Sequence, residues 1–222
     1  GGGQASARPA PAGRELARLM SNINNLAPVV TIDGPGGAGK GTVAAAIAAA
    51  KGWHLLDSGA LYRIIAVSGE AADIALDDTN SLVALCERLQ IVFATDRVQV
   101  DGQDLTEAIR TEEAGSSASK VAALLPVREA ILTVQQGFRR APGLVADGRD
   151  MGTVVFPDAP VKICLDASAQ ARAERRYNQL KNKGLSVNLR ALLEQIQERD
   201  ARDRERAVAP LKPAQDALTI DS

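Results

Sequence analysis

With 222 residues, 45% of them hydrophobic, the chain is long enough to bury one substantial core with appended pieces. A net charge of −1 excludes an overall positive field for nucleic acid or an anionic membrane, so any anion must be recognised by local groups of arginines. No apolar stretch reaches membrane-spanning length, the start lacks the apolar centre of a signal peptide, and Cys86 and Cys164 read as separate reduced thiols; a cytoplasmic protein with no nucleic-acid or membrane partner is expected.

Residues 1–27, rich in Gly, Ala, Pro, Ser and Asn, read as a flexible lead, with Gly1-Gly2-Gly3 an appended scar and Arg14 to Met20 suited to a helical turn or two. From Pro28 onward, short apolar runs alternate with helical segments. The first run, Val29–Ile32, ends at Asp33 and leads into Gly34-Pro35-Gly36-Gly37-Ala38-Gly39-Lys40-Gly41-Thr42. An alanine-rich helix from Val43 to Ala50 follows. Strand, glycine loop, helix is the order a phosphate-binding loop needs. Glycines let backbone N–H groups converge on phosphate oxygens, the helix N-terminus adds partial positive charge, and Lys40 supplies a full charge for the outer phosphates. The residue after the lysine is Gly41, and the hydroxyl comes one place later at Thr42, the candidate Mg²⁺ contact. A bound nucleoside triphosphate is expected.

The next run, His54–Leu56, opens onto Asp57-Ser58-Gly59-Ala60-Leu61-Tyr62-Arg63. Helix capping alone would account for Asp57 and Ser58. Tyr62 and Arg63 are ligand candidates, because they lie just past the C-terminal edge of a strand beside the phosphate loop. His54, next to Trp53, reads as structural. From about Ser68 to Glu113 the alternation breaks. Ile91 to Leu105 reads as short strands joined by turns, Asp101-Gly102 being a hairpin signal, so a small antiparallel insert that moves as a lobe is expected.

A buried strand at Leu144–Ala146 precedes Asp147-Gly148-Arg149-Asp150-Met151-Gly152. Asp147, at a strand end near a phosphate loop, suits Mg²⁺ or its bound water. Arg149 and Asp150 either face a ligand or pair with each other in a turn. Val161–Leu165 ends at Asp166, and the helix after it stacks Arg172, Arg175 and Arg176 with only Glu174 nearby, either a polyphosphate clamp or a solvated basic face. In Glu198 to Arg206, Glu198–Arg202 and Asp200–Arg204 form solvent-side i,i+4 pairs. Arg199, Asp203 and Arg206 fall on another stripe, able to grip a sugar hydroxyl and an anion together. A last strand covers Ala217–Ile220. Apolar runs of this length between helices fit buried parallel strands of an α/β fold, with ligands at their C-terminal ends. A nucleoside monophosphate acceptor, its second pKa being about 6, needs no general base, only positioning and charge neutralisation.

Gly34 to Thr42, with glycine after the lysine, resembles the phosphate loop of the nucleoside monophosphate kinases. Trp53 to Arg63, Ala146 to Pro157 and Arg199 to Leu211 closely resemble the bacterial cytidylate kinases, and the likeness runs from about Pro28 to Ser222. It implies a P-loop three-layer α/β fold with a five-stranded parallel sheet, a monophosphate-binding lobe carrying the strand-containing insert (about 58–125) and a helical lid (about 172–190). It implies Mg²⁺-dependent phosphoryl transfer from ATP to CMP or dCMP. By matching motif, Ser58, Arg63, Arg149 and Arg199 hold the acceptor phosphate or its surroundings, Asp150 and Asp203, helped by Arg199, the ribose, and Ser119, Arg128 and Arg206 the cytosine. Tyr62 joins these on the acceptor side. Arg175 and Arg176 match the lid arginines, so Lys40, Asp147, Arg149, Arg175 and Arg176 are the catalytic candidates. The family usually continues past the last strand with another helix, whereas this sequence stops at Ser222, a departure expected to reduce stability. A monomer acting on small molecules alone is expected.

Two other readings differ in class or substrate. A non-catalytic P-loop switch calls for a guanine-reading Asn-Lys-x-Asp segment, and none occurs. A related kinase would act on UMP, AMP or shikimate; uracil differs from cytosine at one ring edge, so some UMP use stays open.

Overall fold

The computed structural model describes residues 26–93 and 97–222; the expectations for residues 1–25 lie outside these. Five parallel strands form the main sheet: β1 (Val29–Asp33), β2 (His54–Asp57), β6 (Leu144–Gly148), β7 (Val161–Asp166) and β8 (Leu218–Asp221), in the order β2-β6-β1-β7-β8. Each expected strand is found. β1 runs in register with β6 from Val29↔Leu144 to Asp33↔Gly148, and with β7 from Val30↔Val161 to Asp33↔Cys164.

The central strands are apolar on both sides because both faces of the sheet are covered. Val29, Leu56, Leu144 and Ala146 pack with Met151 and Phe156 on one face. Ile32 and Val145 pack with Ala44 and Ala48 on the other, so the short alanines of α1 (Lys40–Lys51) let that helix lie close to the sheet. α1 begins after Gly39 (φ 93°) and ends at Gly52 (φ 63°), both left-handed positions where glycine avoids a Cβ penalty.

Helix α2 (Ser58–Ala71) is capped by Asp57, whose Oδ1 accepts from the Ala60 amide at 3.0 Å. One side of α2 joins α3 (Thr79–Arg88), α4 (Glu112–Val121) and α5 (Leu125–Gly137) in a second core through Tyr62, Ile65, Leu82, Leu85, Val121 and Ile131. Its other side, Ala60 and Ile64, meets Val100 and Ile109. Val100 belongs to the small antiparallel sheet of β3 (Ile91–Phe93), β4 (Val98–Val100) and β5 (Gln103–Asp104). Asp101 (φ 50°) and Gly102 (φ 80°) form the expected tight turn between β4 and β5. Two more helices complete the order, α6 (Ala169–Asn182), capped by Ser168, and α7 (Leu189–Glu205), capped by Asn188. Among the described residues no helix is long and apolar enough to cross a membrane.

Candidate active site

The phosphate loop sits where β1 ends and α1 begins, at the C-terminal edge of the sheet. A side chain on Gly34 (φ 151°) would run into the Leu165 carbonyl oxygen, so only glycine lets the loop pass β7. Lys40 is buried, its Nζ donating to Pro35 O at 3.0 Å and lying 3.8 Å from Asp147 Oδ1. Burial pushes the Lys40 ammonium down, and Arg149 adds to this; burial pushes the Asp147 carboxyl up, with Lys40 opposing. Gly41 lies beside that carboxylate, a Cβ there standing in ordinary contact with Asp147 Oδ2 at 3.4 Å. Thr42 lies exposed on the first turn of α1. Asp57 and Asp147 are register partners at the ends of β2 and β6. Among the described residues no three His, Cys, Asp or Glu side chains cluster to hold a metal. Two strand-end carboxylates beside a phosphate loop fit Mg²⁺, which takes one or two carboxylates and completes its shell with water and phosphate oxygens.

A second pocket of about 40 Å³ brings together Ser58, Tyr62, Ser119, Arg128, Arg149, Asp150, Arg199, Asp203 and Arg206. Asp203 accepts from Ser119 Oγ at 2.7 Å and from Arg149 Nε at 3.0 Å. Those partners, with Arg199, hold its carboxyl below the usual range despite burial. Asp150 pairs with Arg128, whose guanidinium also donates to Ala122 O at 3.1 Å and lies 5.6 Å from the centre of the Tyr62 ring. Arg149 and Asp150 therefore diverge to different partners, which removes the reading in which they pair with each other. Arg206 lies one residue past α7 and donates through Nε to Ala209 O at 2.7 Å, while its Nη2 and the Tyr62 hydroxyl are buried without partners.

Between this pocket and the phosphate loop, three guanidiniums converge. A Cβ on Gly36 would stand 3.2 Å from Arg149 Nη2 and 3.4 Å from Arg199 Nη1; one on Gly115 would stand 2.9 Å from Arg199 Nη1 and 3.4 Å from Arg63 Nη2. Arg63 is anchored by donation to Ile109 O at 2.7 Å. Arg199 makes no ion pair among the described residues, and its Nε is buried without a partner. Burial, Arg149 and Arg63 push it down to about 10. Arg63 and Arg199 also line a cleft of about 750 Å³ that reaches Gly36, Gly37, Arg172 and Arg176. Three guanidiniums thus meet where two neighbouring pockets adjoin, an arrangement that suits an anion.

The arginines of α6 engage separate partners. Arg172 is fully engaged, donating to Ala167 O at 2.9 Å, to Gly36 O at 3.0 Å and to both oxygens of Asp200. Arg176 pairs with Glu112 at the start of α4, and exposed Arg175 reaches Ser222 Oγ at 3.3 Å. Carboxylates distant in sequence thus relieve the like-charge stacking, where a bound anion was one expectation. On α7, Glu198–Arg202 forms as expected at 2.8 Å, but Asp200 turns to Arg172, and Arg204 lies 3.6 Å from Asp166. His54 is structural, its Nε2 3.0 Å from Ala141 O. Residue types and spacing alone did not single out Ser119 and Arg128, which lie on the unremarkable helices α4 and α5; the pairing of Glu112 and Asp200 with the α6 arginines and the inward role of Asp33 went unsignalled.

The family model described as Cytidylate kinase matches residues 30–222. A protein from Aeromonas hydrophila named "Cytidylate kinase" is 59% identical over 201 residues, 89% of this chain and 87% of that protein. Proteins of the same name from Aeromonas salmonicida and Colwellia psychrerythraea are 58% and 57% identical, over 89% and 88% of this chain and 87% and 88% of those proteins. A phosphate loop facing an arginine-rich pocket across a shared anion site agrees with these likenesses, and the chain belongs to the cytidylate kinase family of nucleoside monophosphate kinases.

Proposed function

We propose that the enzyme transfers the γ-phosphoryl group of ATP to CMP or dCMP, giving ADP and CDP or dCDP. The observation that carries this reading is the convergence of Arg63, Arg149 and Arg199 between Gly36 and the smaller pocket, where Arg149–Asp203 is the one ion pair these three guanidiniums make among the described residues. Such an excess of buried cations favours phosphate on both sides of the point where the groups meet. The amides of Gly34 to Gly39 and Lys40 would cradle the donor phosphates, with Arg175 and Arg176 reaching the outer ones from α6. Arg63, Arg149, Arg199 and Ser58 would orient the acceptor phosphate, Asp150 and Asp203 the ribose, and Ser119, Arg128 and Arg206 the cytosine, packed against Tyr62. Mg²⁺ held near Asp147, Asp57 and Thr42 would supply charge neutralisation on the donor phosphates. We take residues 58–125 as the acceptor lobe and 172–190 as the lid, and read the enzyme as a cytoplasmic monomer, with which the free Cys86 and Cys164 agree.

ADP release from Mg²⁺ and ATP, with CMP, dCMP, UMP, AMP and shikimate as alternative acceptors, tests the proposal. Release with CMP and dCMP is expected. Absence of CMP-dependent release overturns it, and release with AMP alone assigns the chain a different acceptor.

A further inference from the structure

Asp33 has a place in the site that its position in the sequence does not reveal. It is the last residue of β1, immediately before Gly34, and is 3% exposed. Its two oxygens accept separately from backbone amides on another part of the chain, Oδ1 from Met151 N and Oδ2 from Gly152 N, each at 2.8 Å. These amides open a single wide helical turn, Met151–Val155, that has no side-chain cap of its own. Asp33 caps that turn across 118 residues of sequence. The approach is close: a Cβ on Gly152 would stand 3.3 Å from Asp33 Oδ2 and 2.8 Å from Thr31 Oγ1.

The two residues just before the capped turn are Arg149 and Asp150. The guanidinium of Arg149 overhangs Gly36, and Asp150 holds Arg128. One carboxylate thus joins the first residue before the phosphate loop to the backbone that aims the acceptor-side side chains. Phosphoryl transfer requires the two reacting groups at near-attack separation, and a misplacement of about 1 Å costs on the order of 100-fold in rate. We propose that Asp33 is the positioning residue that sets the separation between the donor and acceptor halves of the site. It touches neither substrate.

The inference rests on the phosphoryl-transfer reading above, and the wild-type assay separates the two: a wild-type enzyme without CMP-dependent turnover removes the reading itself. The test uses Asp33→Asn, which keeps size but turns an amino group toward one amide N–H. Three dissociation constants are compared by calorimetry, for ADP, for CMP, and for a bisubstrate analogue in which adenosine and cytidine are joined through a phosphate chain. ADP and CMP are expected to bind within about threefold of wild type, while the analogue weakens about tenfold or more and kcat falls by a similar factor. An equal loss for all three ligands shows a general folding role, and an unchanged analogue affinity shows that Asp33 sets no spacing; either overturns the proposal. If Asp33→Asn does not fold, Gly152→Ala, whose Cβ presses on β1 at Thr31 Oγ1 and Asp33 Oδ2, shifts the same junction from the other side and is read against the same outcomes.

Discussion

Arg149 donates to Asp203 at 3.0 Å, while Arg199, one turn before Asp203 on α7, makes no ion pair among the described residues although its Nε is buried. Asp203 and Glu112 attract its guanidinium, but burial and the neighbouring Arg149 and Arg63 outweigh them. Replacing Arg199 by Met keeps much of the stem packing and removes the repulsion from Arg149 and Arg63. The variant is therefore expected to melt a few degrees higher than wild type, since about 1 kcal/mol is worth roughly 2–4 °C in a chain of this size. Its kcat/KM for CMP should fall by about 100-fold. Calorimetry and steady-state kinetics on one preparation check both signs, and a lower melting temperature would show that Arg199 is a structural cation.

Lys40 presents the opposite balance. It lies 3.8 Å from Asp147, so removing it leaves a buried carboxylate without its countercharge. Lys40→Ala is expected to abolish measurable turnover, a loss of about 1,000-fold or more, with CMP affinity within about threefold of wild type because the lysine acts on the donor side. Calorimetric titration with CMP decides the point. Equal loss of CMP binding and turnover would mean that the substitution disturbs the whole site.

The framework was legible in the sequence because its determinants are local. Each strand of the main sheet contains a short apolar run, and the glycines of the phosphate loop stand within nine residues of one another. The Asp101-Gly102 turn needed only two residues to be read. The charged side chains were less legible, since an arginine's partner is fixed by the fold rather than by helical spacing. Asp200 and Arg204 have an acceptable i,i+4 spacing, yet Asp200 turns to Arg172, 28 residues away, because β7 and the phosphate loop bring that arginine against α7. Ser119 and Arg128 emerged from family resemblance alone, as nothing in their own helices distinguishes them.

That rearrangement separates the arginines of α6 experimentally. Arg172, 2% exposed, joins the phosphate loop, β7 and α7 through Gly36, Ala167 and Asp200. Arg172→Ala leaves Asp200 without its buried partner and is expected to destabilise the protein by about 3–5 kcal/mol. Arg175→Ala removes an exposed contact to Ser222 and should change stability by less than about 0.5 kcal/mol. Urea unfolding of both variants tests the contrast, and comparable losses would contradict the assignment of Arg172 as the joint.

Asp33 gives a pH dependence with a definite sign. Burial raises its carboxyl from 3.8 to about 6, although the amides of Met151 and Gly152 favour the ionised form. The folded chain therefore holds this proton more tightly than the unfolded chain. The associated stability is fully present below pH 3.8, falls as the pH rises toward about 6, and is constant above that. Asp203, held low, and Asp147 and Asp150, both raised by burial, also titrate, so the effect is isolated by comparison with Asp33→Asn, in which all three remain. Between about pH 4.5 and 7, wild type should lose about 2 kcal/mol of stability relative to that variant. Urea unfolding at the two pH values measures the difference directly. A gap that stays constant would show that Asp33 ionises in the folded protein as it does in water, and one that widens in favour of wild type at higher pH would show that the two amides hold its carboxyl below that value; either contradicts the expected sign.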